Sequence, residues 1–321
     1  KERQDFYADA VVLASGHSAN DIYTMIGKYS PFSLEAKTFA MGVRVEHPRE
    51  VIDNIQFHGS KNAKKELGAA EYRLVSQIDG RGVYSFCMCP GGFVVPSASE
   101  DDGIVVNGMS SVARNSKWSN AAIVVEIRPE DIPLEFLKEA KNAGCSALAG
   151  LFFRREIERA AKRLVPSQNS VAESKATKTT KATKKPNVLK QQAAPAQRLV
   201  DFLVEKKSEQ EQLPPSSFTA GLKACNLFEC LPPHISFRLQ KAFEEFNKSM
   251  KGFICKEALL IAPETRTSTP VRILRNKESG ECLHLKNLFP CGEGSGYSGG
   301  IVSSAMDGQN ICKLVVEKIC N

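Results

Sequence analysis

Residues 287–302 read NLFPCGEGSGYSGGIV, which is a short apolar segment, a loop with five glycines and the start of a predicted helix. Unpaired N–H groups at a helix N-terminus attract electron-rich ligands, and glycines let such ligands approach the main chain. Apolar residues then recur at helical spacing, at Ile301, Val302, Ala305, Cys312, Val315, Val316 and Ile319. The pattern predicts a dinucleotide site beside a helix whose apolar face packs on a sheet. An ordinary glycine-rich turn is the alternative, because glycine motifs alone are permissive.

The N-terminal residues predict a second fragment of the same kind. Residues 5–17 read DFYADAVVLASGH, a buried strand that delivers Ser15 and Gly16 at its C-terminal edge. In α/β sheets, bound cofactors lie near this edge. Because a natural chain seldom starts inside a sheet, we expect an upstream half of this domain, with any targeting sequence, to be missing from the fragment.

Composition limits the classes of function. The chain has 321 residues, 42% hydrophobic and 25% charged, which suffices for a large core and two domains. It has no apolar run near the ~18 residues of a membrane span. Ten scattered cysteines without a CxxC pair, together with five histidines, argue against a metal site such as zinc. They indicate reduced thiols in an intracellular compartment, with plastid and cytosol both open.

The net charge of +7 is concentrated in one segment. Residues 173–190 contain six lysines and one glutamate, so the remainder is close to neutral. A broad nucleic-acid-binding face is therefore not indicated. The Lys-Ala-Thr repetition within residues 167–194 predicts a low-complexity loop.

The middle of the chain differs in character from its ends. Short β-type segments separated by Gly, Pro, Asn and Asp predict an antiparallel sheet or small barrel, at residues 39–47, 71–76, 82–89, 93–95, 103–108 and 121–127. Helices are predicted within residues 133–162, 195–203 and 222–249, and strands at 258–261 and 271–275.

These segments predict an α/β fold in which an insertion interrupts a nucleotide-binding domain. Residues 1–36 and 257–321 would form that domain. The insertion would have a β-rich part at residues 37–130 and a helical part at residues 131–256.

Several runs along the chain resemble those of one family. They are ASGHSA at 14–19, FAMGVRVEHP at 39–48, YSFCMCPGG at 84–92, NGMS at 107–110, PAQR at 195–198, ETRTS at 264–268, PVRI at 270–273 and CGEGSGYSGGIV at 291–302. The chain resembles, over nearly its whole length, the uncharacterised FAD-dependent dehydrogenases of bacteria and plastid-bearing eukaryotes. The resemblance implies a partial FAD-binding, Rossmann-like fold of the two-dinucleotide-binding-domain type, interrupted by a substrate domain. It also implies an upstream Gly-x-Gly-x-x-Gly, which this sequence lacks.

The resemblance and the glycine pattern together give the expected FAD contacts, which are Ser15, Gly16, Gly292, Glu293, Gly294, Gly299, Gly300 and Ile301. Glu293 is expected to hold the ribityl chain. The N–H groups of Gly300 and Ile301 are expected to face the flavin pyrimidine and stabilise its reduced anion.

Five further residues are candidates for chemistry. Cys87 and Cys89 would face one side of a strand, and in a flavoprotein such a pair suggests thiol–disulfide redox. The alternative is two small buried side chains before a Pro-Gly-Gly turn. Arg266, with Arg272, could face an anionic substrate or reduced flavin, or could form structural ion pairs. His17 could be a general acid or base, or could cap the next helix.

The predicted function is therefore that of an FAD-dependent oxidoreductase acting on an unidentified small molecule, with NAD(P)H or another electron donor. A tRNA- or other nucleic-acid-modifying flavoprotein is one alternative, since the lysine-rich segment could contact phosphates. A non-catalytic flavin-binding scaffold is another.

Overall fold

The structure is a computed structural model that describes residues 4–165 and 193–320. The chain divides into two compact units, each discontinuous in sequence. The terminal unit consists of Lys1–Phe39, Ile127–Arg154 and Arg266–Asn321. The sheet unit consists of Ala40–Glu126 and Arg155–Thr265.

Strands and helices alternate irregularly along the described residues. The strands are β1 (Val11–Leu13), β2 (Leu34–Ala36), β3 (Phe39–Pro48), β4 (Val75–Ile78), β5 (Arg81–Cys89), β6 (Phe93–Pro96), β7 (Val106–Met109), β8 (Trp118–Ile127), β9 (Ala194–Arg198), β10 (Leu222–Ala224), β11 (Leu259–Glu264), β12 (Val271–Ile273) and β13 (Leu288–Pro290). The helices are α1 (Asn20–Tyr29), α2 (Arg49–Gln56), α3 (Lys61–Leu67), α4 (Leu134–Asn142), α5 (Ala149–Leu164), α6 (Leu199–Leu203), α7 (Pro233–Ser249) and α8 (Ile301–Cys320).

A seven-stranded sheet organises the sheet unit, in the order β10-β9-β11-β3-β8-β5-β4. Strand β11 is antiparallel to both β3 and β9, and β5 is antiparallel to β8 and β4, whereas β10 and β9 are parallel. The central strands β3 and β8 are buried along almost their whole length, including the polar residues Arg44, Glu46 and His47 of β3. The predicted α/β class and antiparallel middle are confirmed, as an open sheet rather than a barrel.

Two short sheets lie in the terminal unit. Strand β1 pairs in parallel with β13, with Val11 opposite Leu288 and Leu13 opposite Pro290. Strand β12 pairs antiparallel with β2. Because β1 and β13 are parallel, the segments that follow Leu13 and Pro290 leave the sheet at the same edge. The Rossmann-like arrangement expected for these residues remains a prediction.

Residues 195–203 were predicted as one helix, and this prediction is wrong for their first half. Ala194–Arg198 form β9, between β10 and β11, and the helix α6 begins only at Leu199. Leu222–Ala224, placed within a predicted helical region, form the edge strand β10. Pairing of β9 with β11 decides the first case and pairing of β10 with β9 decides the second, because tertiary contacts override weak local propensity.

The helix α8 begins where the glycine pattern predicted, but its apolar face is only partly packed. Ile311 is buried and packs with Phe289 and Cys291, and Val315 lies against this cluster. Most of the other apolar positions are exposed, namely Ile301, Val302, Met306, Val316 and Ile319. A two-stranded sheet is too narrow to cover a helix of five turns, so the expectation of a fully packed face is not met.

Two further observations concern the described residues only. Across residues 4–165 and 193–320, no helix is both long and apolar enough to cross a membrane. The same part of the chain contains no group of His, Cys, Asp and Glu side chains arranged to hold a metal ion. The predicted low-complexity loop lies, apart from its last two residues, outside the described residues.

Candidate functional site

The two glycine-containing segments predicted to bind a cofactor touch each other in the terminal unit. A Cβ atom on Gly294 would lie 2.6 Å from the carbonyl oxygen of Gly16. Gly16 and Gly292 have positive φ angles of 76° and 71°, which disfavour other residues. Parallel pairing of β1 with β13 brings these segments together, so the strand ends form a cradle of main-chain atoms. Ser15 is exposed at the rim of this cradle.

A tyrosine that sequence patterns did not single out fixes the cradle. The Tyr23 hydroxyl, on α1, donates a hydrogen bond of 2.8 Å to the carbonyl oxygen of Gly294. Burial raises the pKa of Tyr23, so the hydroxyl keeps its proton and acts as a donor. Tyr23 thereby ties α1 to the glycine loop.

His17 and Glu293 face each other across the cradle. Their Nδ1 and Oε2 atoms are 3.2 Å apart, and both side chains are about one-fifth to one-quarter exposed, at 21% and 24%. The pair lies within hydrogen-bonding distance and remains accessible to a ligand. His17, considered alone from sequence as an acid, base or helix cap, is thus a partner of the carboxylate expected to hold a ribityl chain.

The first turns of α8 hold the glycine loop through Asp307. The Asp307 carboxylate accepts a 2.8 Å hydrogen bond from the backbone N–H of Gly292 and bonds of 3.0 and 2.6 Å from Arg275. Arg275 also donates to the carbonyl oxygen of Pro290, at 2.7 Å. Burial would raise the pKa of Asp307, but the hydrogen bonds from Arg275 and Gly292 outweigh it and lower the pKa below its ordinary value.

Open space lies in front of the N-terminus of α8. A Cβ atom on Gly299 would have no neighbour within 4 Å, and one on Gly300 would meet only the Ser303 hydroxyl, at 3.9 Å. Ile301, the first helical residue, is 92% exposed. The helix N-terminus therefore presents N–H groups to a space that a ligand can enter.

Positive charges surround the cradle, supplied by residues far apart in sequence. Burial and the charge of Arg272 lower the pKa of Lys37, whereas the charge of Glu293 raises it. Arg154 is buried on α5 and donates a 2.6 Å hydrogen bond to the side-chain oxygen of Asn20. Arg272 pairs with Glu35 at 3.1 Å. Sequence patterns did not indicate Lys37 or Arg154, because nothing local relates them to the glycine loop.

Arg266 is not on a strand face. It follows β11 in the segment that leads to β12, and only 5% of its side chain is exposed. A buried loop joins β11 to β12, so Arg266 and Arg272 do not lie on one strand. Any ligand contact of Arg266 would thus be made from the interior of the terminal unit.

Cys87 and Cys89 lie in the sheet unit, at the end of β5. Strand pairing shifts register between Phe86 and Cys89, and Cys87 has a positive φ of 45°. Cys87 is exposed and Cys89 is buried. The bulge therefore gives the two thiols different environments, although their alternation on a regular strand predicted the same side.

Comparison with known proteins identifies the family. The described residues form a mixed α/β fold with a glycine cradle at the paired ends of β1 and β13. Residues 38–267 match the family described as "FAD-dependent protein, C-terminal domain-like", and the chain belongs to this family. The family name implies dependence on FAD.

A curated relative extends the similarity to almost the whole chain. A protein of Clostridium beijerinckii, described as "Uncharacterized protein", is 39% identical over 314 residues. The similarity covers 97% of this chain and 52% of the relative, so the chain spans about half the length of the curated relative it matches. The family match includes Cys87, Cys89 and Arg266 and ends before Gly292.

Proposed function

We propose that the chain is the C-terminal part of an FAD-dependent oxidoreductase that acts on a small molecule, and that its terminal unit holds the flavin end of FAD. The observation that carries the proposal is the contact between the backbones of Gly16 and Gly294 beside the open N-terminus of α8. A cradle of glycine backbone next to a helix N-terminus suits an electron-rich ligand.

The residues of the cradle have distinct roles in this proposal. Glu293, held near His17, accepts hydrogen bonds from ribityl hydroxyls. The N–H groups of Gly300 and Ile301 contact the flavin pyrimidine, and Ser15 and Gly299 line the entrance. FAD, when bound, supplies two-electron redox chemistry.

The charges around the cradle favour a reduced flavin. In the terminal unit, Lys37 lies near Glu293, Arg154 lies near Tyr23 and Arg272 lies near Lys37. A flavin that gains two electrons acquires negative charge, and preorganised cations stabilise such charge. Arg266 would act from within the same unit. These cations would therefore raise the affinity of the reduced cofactor more than that of the oxidised one.

The pyrophosphate end of FAD would be held by the other half of the full-length protein. The matched relative is about twice as long as this chain, since the alignment covers 52% of it. The apolar residues of α8 and the residues Val11 and Val12 of β1 are exposed, which suits a surface that further sheet and helix elements cover. In this proposal residues 1–36 and 257–321 belong to the FAD-binding domain, and residues 37–130 and 131–256 form the substrate-selecting insertion.

The test uses the full-length protein. We expect purified protein to show a bound-flavin absorbance spectrum that bleaches when a suitable donor, such as NADH or NADPH, is added without oxygen. A folded full-length protein that binds no FAD would overturn the proposal. Bound flavin that no donor reduces would instead indicate a non-catalytic scaffold.

The nucleic-acid-modifying alternative depends on the lysine-rich residues 173–190, which lie outside the described residues. Salt-dependent RNA binding that disappears on deletion of residues 174–190 would support it. RNA binding that is absent, or unchanged by the deletion, would favour a small-molecule substrate.

A further inference from the structure

The end of β5 departs from regular strand geometry at Cys87. The register shift and the positive φ of Cys87 place an exposed thiol two residues before a buried one. Bulges and left-handed backbone at non-glycine residues are concentrated at functional sites, where they direct a side chain. Here they direct Cys87 toward solvent while Cys89 stays buried.

The two thiols interact directly. The Cys89 thiol donates a hydrogen bond of 3.4 Å to the carbonyl oxygen of Cys87, and the two side chains shift each other's pKa in opposite directions. A disulfide between the two residues forms when their sulfur atoms approach to about 2.05 Å. The pair is therefore arranged to exchange between a dithiol and a disulfide.

A buried arginine lies behind the pair. Arg44 Nη1 is 3.1 Å from the carbonyl oxygen of Cys87 and 3.9 Å from the Cys89 sulfur. The guanidinium is fixed by Glu264 at 2.9 Å, by Asn120 at 2.9 Å and by Asn107 at 3.1 Å. A fixed cation beside a thiol favours its ionised, nucleophilic form.

These contacts separate the pKa values of the two thiols. The hydrogen bond from Cys89 and the charge of Arg44 outweigh burial and lower the pKa of Cys87 to about 6. The same hydrogen bond, with burial, raises the pKa of Cys89. Near neutral pH the exposed sulfur is thus the thiolate and the buried one the proton donor.

Gly108 makes the close packing possible. A Cβ atom at Gly108 would overlap Arg44 Nη1 and lie 2.8 Å from the Cys89 sulfur. Only glycine lets Arg44 and Cys89 approach β7 in this way.

We propose that Cys87 and Cys89 form a redox-active dithiol that reduces small or exposed disulfides by thiol–disulfide exchange, with Cys87 as the attacking and Cys89 as the resolving residue. This function involves only residues of the sheet unit and does not depend on FAD binding. The relevant substrate class is a disulfide, written RS–SR, whose organic groups are small enough to reach an exposed thiolate.

The exchange proceeds in two steps. The Cys87 thiolate attacks one sulfur of RS–SR, the S–S bond breaks, RS⁻ leaves and a mixed disulfide forms on Cys87. Cys89 then gives its proton to the departing thiolate and attacks the Cys87 sulfur, so that the second RS⁻ leaves and takes up a solvent proton. In total RS–SR is reduced to two RSH, and the two cysteines are oxidised to one disulfide.

The test uses the full-length protein and oxidised glutathione. Trypsin releases residues 82–114, a peptide whose only cysteines are Cys87 and Cys89. We expect this peptide to lose two hydrogens after exposure to oxidised glutathione and to regain them with dithiothreitol. In Cys89→Ser we expect a stable glutathione adduct on Cys87, and in Cys87→Ser we expect no adduct on this peptide.

The pH dependence of alkylation provides a second measurement. In unmutated protein, iodoacetamide should modify Cys87 with a midpoint near pH 6. Cys89→Ala removes a hydrogen bond to the thiolate, so the midpoint should rise by at least about one pH unit. The alkylation of Cys312, which is exposed on α8, is measured in the same samples as a control. The proposal is overturned if the peptide forms no disulfide with oxidised glutathione or if Cys87 and Cys312 alkylate with the same pH dependence. Flavin reduction, measured separately, distinguishes this failure from failure of the FAD proposal.

Discussion

The backbone of Gly294 lies against the backbone of Gly16, so closely that a Cβ atom on Gly294 would come within 2.6 Å of the Gly16 carbonyl oxygen. The two residues belong to opposite ends of the chain, and the parallel pair of β1 and β13 joins them. The contact makes one cradle from two segments that are each unremarkable glycine turns.

Substitution of Gly294 tests this contact. Gly294→Ala should destabilise the protein by about 1–3 kcal/mol, because main-chain atoms of Gly16 cannot move aside easily. In the full-length protein, the midpoint temperature of thermal unfolding and the flavin absorbance per mole of protein measure the effect. Both should fall.

Gly299→Ala is the matched control. The new Cβ atom would have no neighbour within 4 Å, so the free energy of unfolding should change by less than about 0.5 kcal/mol. If flavin occupies that space, the added methyl group should still weaken FAD binding. Equal free energies of unfolding for Gly294→Ala and Gly299→Ala would contradict the close contact of Gly16 with Gly294.

Removal of the Tyr23 hydroxyl should destabilise the cradle, although the phenylalanine side chain has nearly the same shape as tyrosine. Tyr23→Phe removes the 2.8 Å hydrogen bond to Gly294 and leaves a buried carbonyl oxygen without that donor. We expect a cost of about 1–2 kcal/mol in chemical denaturation. Tyr29→Phe, at an exposed position, should have almost no effect. A similar change in the free energy of unfolding for Tyr23→Phe and Tyr29→Phe would argue against a specific role of Tyr23.

Asp307 should contribute more to the free energy of unfolding than an ordinary surface carboxylate does. Asp307→Ala leaves Arg275 and the Gly292 N–H without their shared acceptor and should cost about 2–3 kcal/mol. Glu245→Ala, which breaks an exposed pair with Lys248, should cost less than about 0.5 kcal/mol. Since the pKa of Asp307 is lowered in the folded protein, its contribution is complete above the ordinary value of 3.8 and is lost as pH falls through its lower folded value.

His47 should make the sheet unit sensitive to acid. Burial lowers its pKa from 6.5 to about 4, and its Nε2 lies 2.8 Å from the carbonyl oxygen of Phe253, to which it donates a hydrogen bond. Between these pH values the unfolded chain binds a proton that the folded chain does not, so stability falls as pH decreases from 6.5 toward 4.

The expected loss is about 3 kcal/mol, obtained from the pKa difference at 1.36 kcal/mol per unit. Urea unfolding at several pH values measures it. His47→Gln retains a donor and should remove most of this pH dependence. An unchanged slope in that variant would assign the acid sensitivity to other groups.

Local patterns predicted the elements that depend on neighbouring residues. The turn at Gly16, the glycine loop that contains Gly292 and the periodicity of α8 are encoded within a few residues. The strands β3, β5 and β8 were likewise evident from short apolar runs bounded by turn residues. The position of the cradle loops could therefore be predicted without any knowledge of their partners.

Prediction from the sequence was wrong, or made no statement, where contacts between residues distant in sequence determine the structure. Ala194–Arg198 are a strand because β11 lies beside them, although their own sequence permits a helix. Nothing in the sequence relates Arg44 to Cys87, or Lys37 to Glu293, because these relationships arise only when strands and helices pack.

The sequence by itself thus determined the α/β class, the β-rich middle and the strand-to-helix turn with its glycines, since these follow from local propensity and spacing. Only the tertiary structure decided that Gly294 rests on Gly16, that Tyr23 and Asp307 hold the loop, and that Arg44 lies behind the two thiols. The physical reason is that hydrogen bonds and ion pairs between distant residues form only after packing has brought them together, and no local sequence period encodes them.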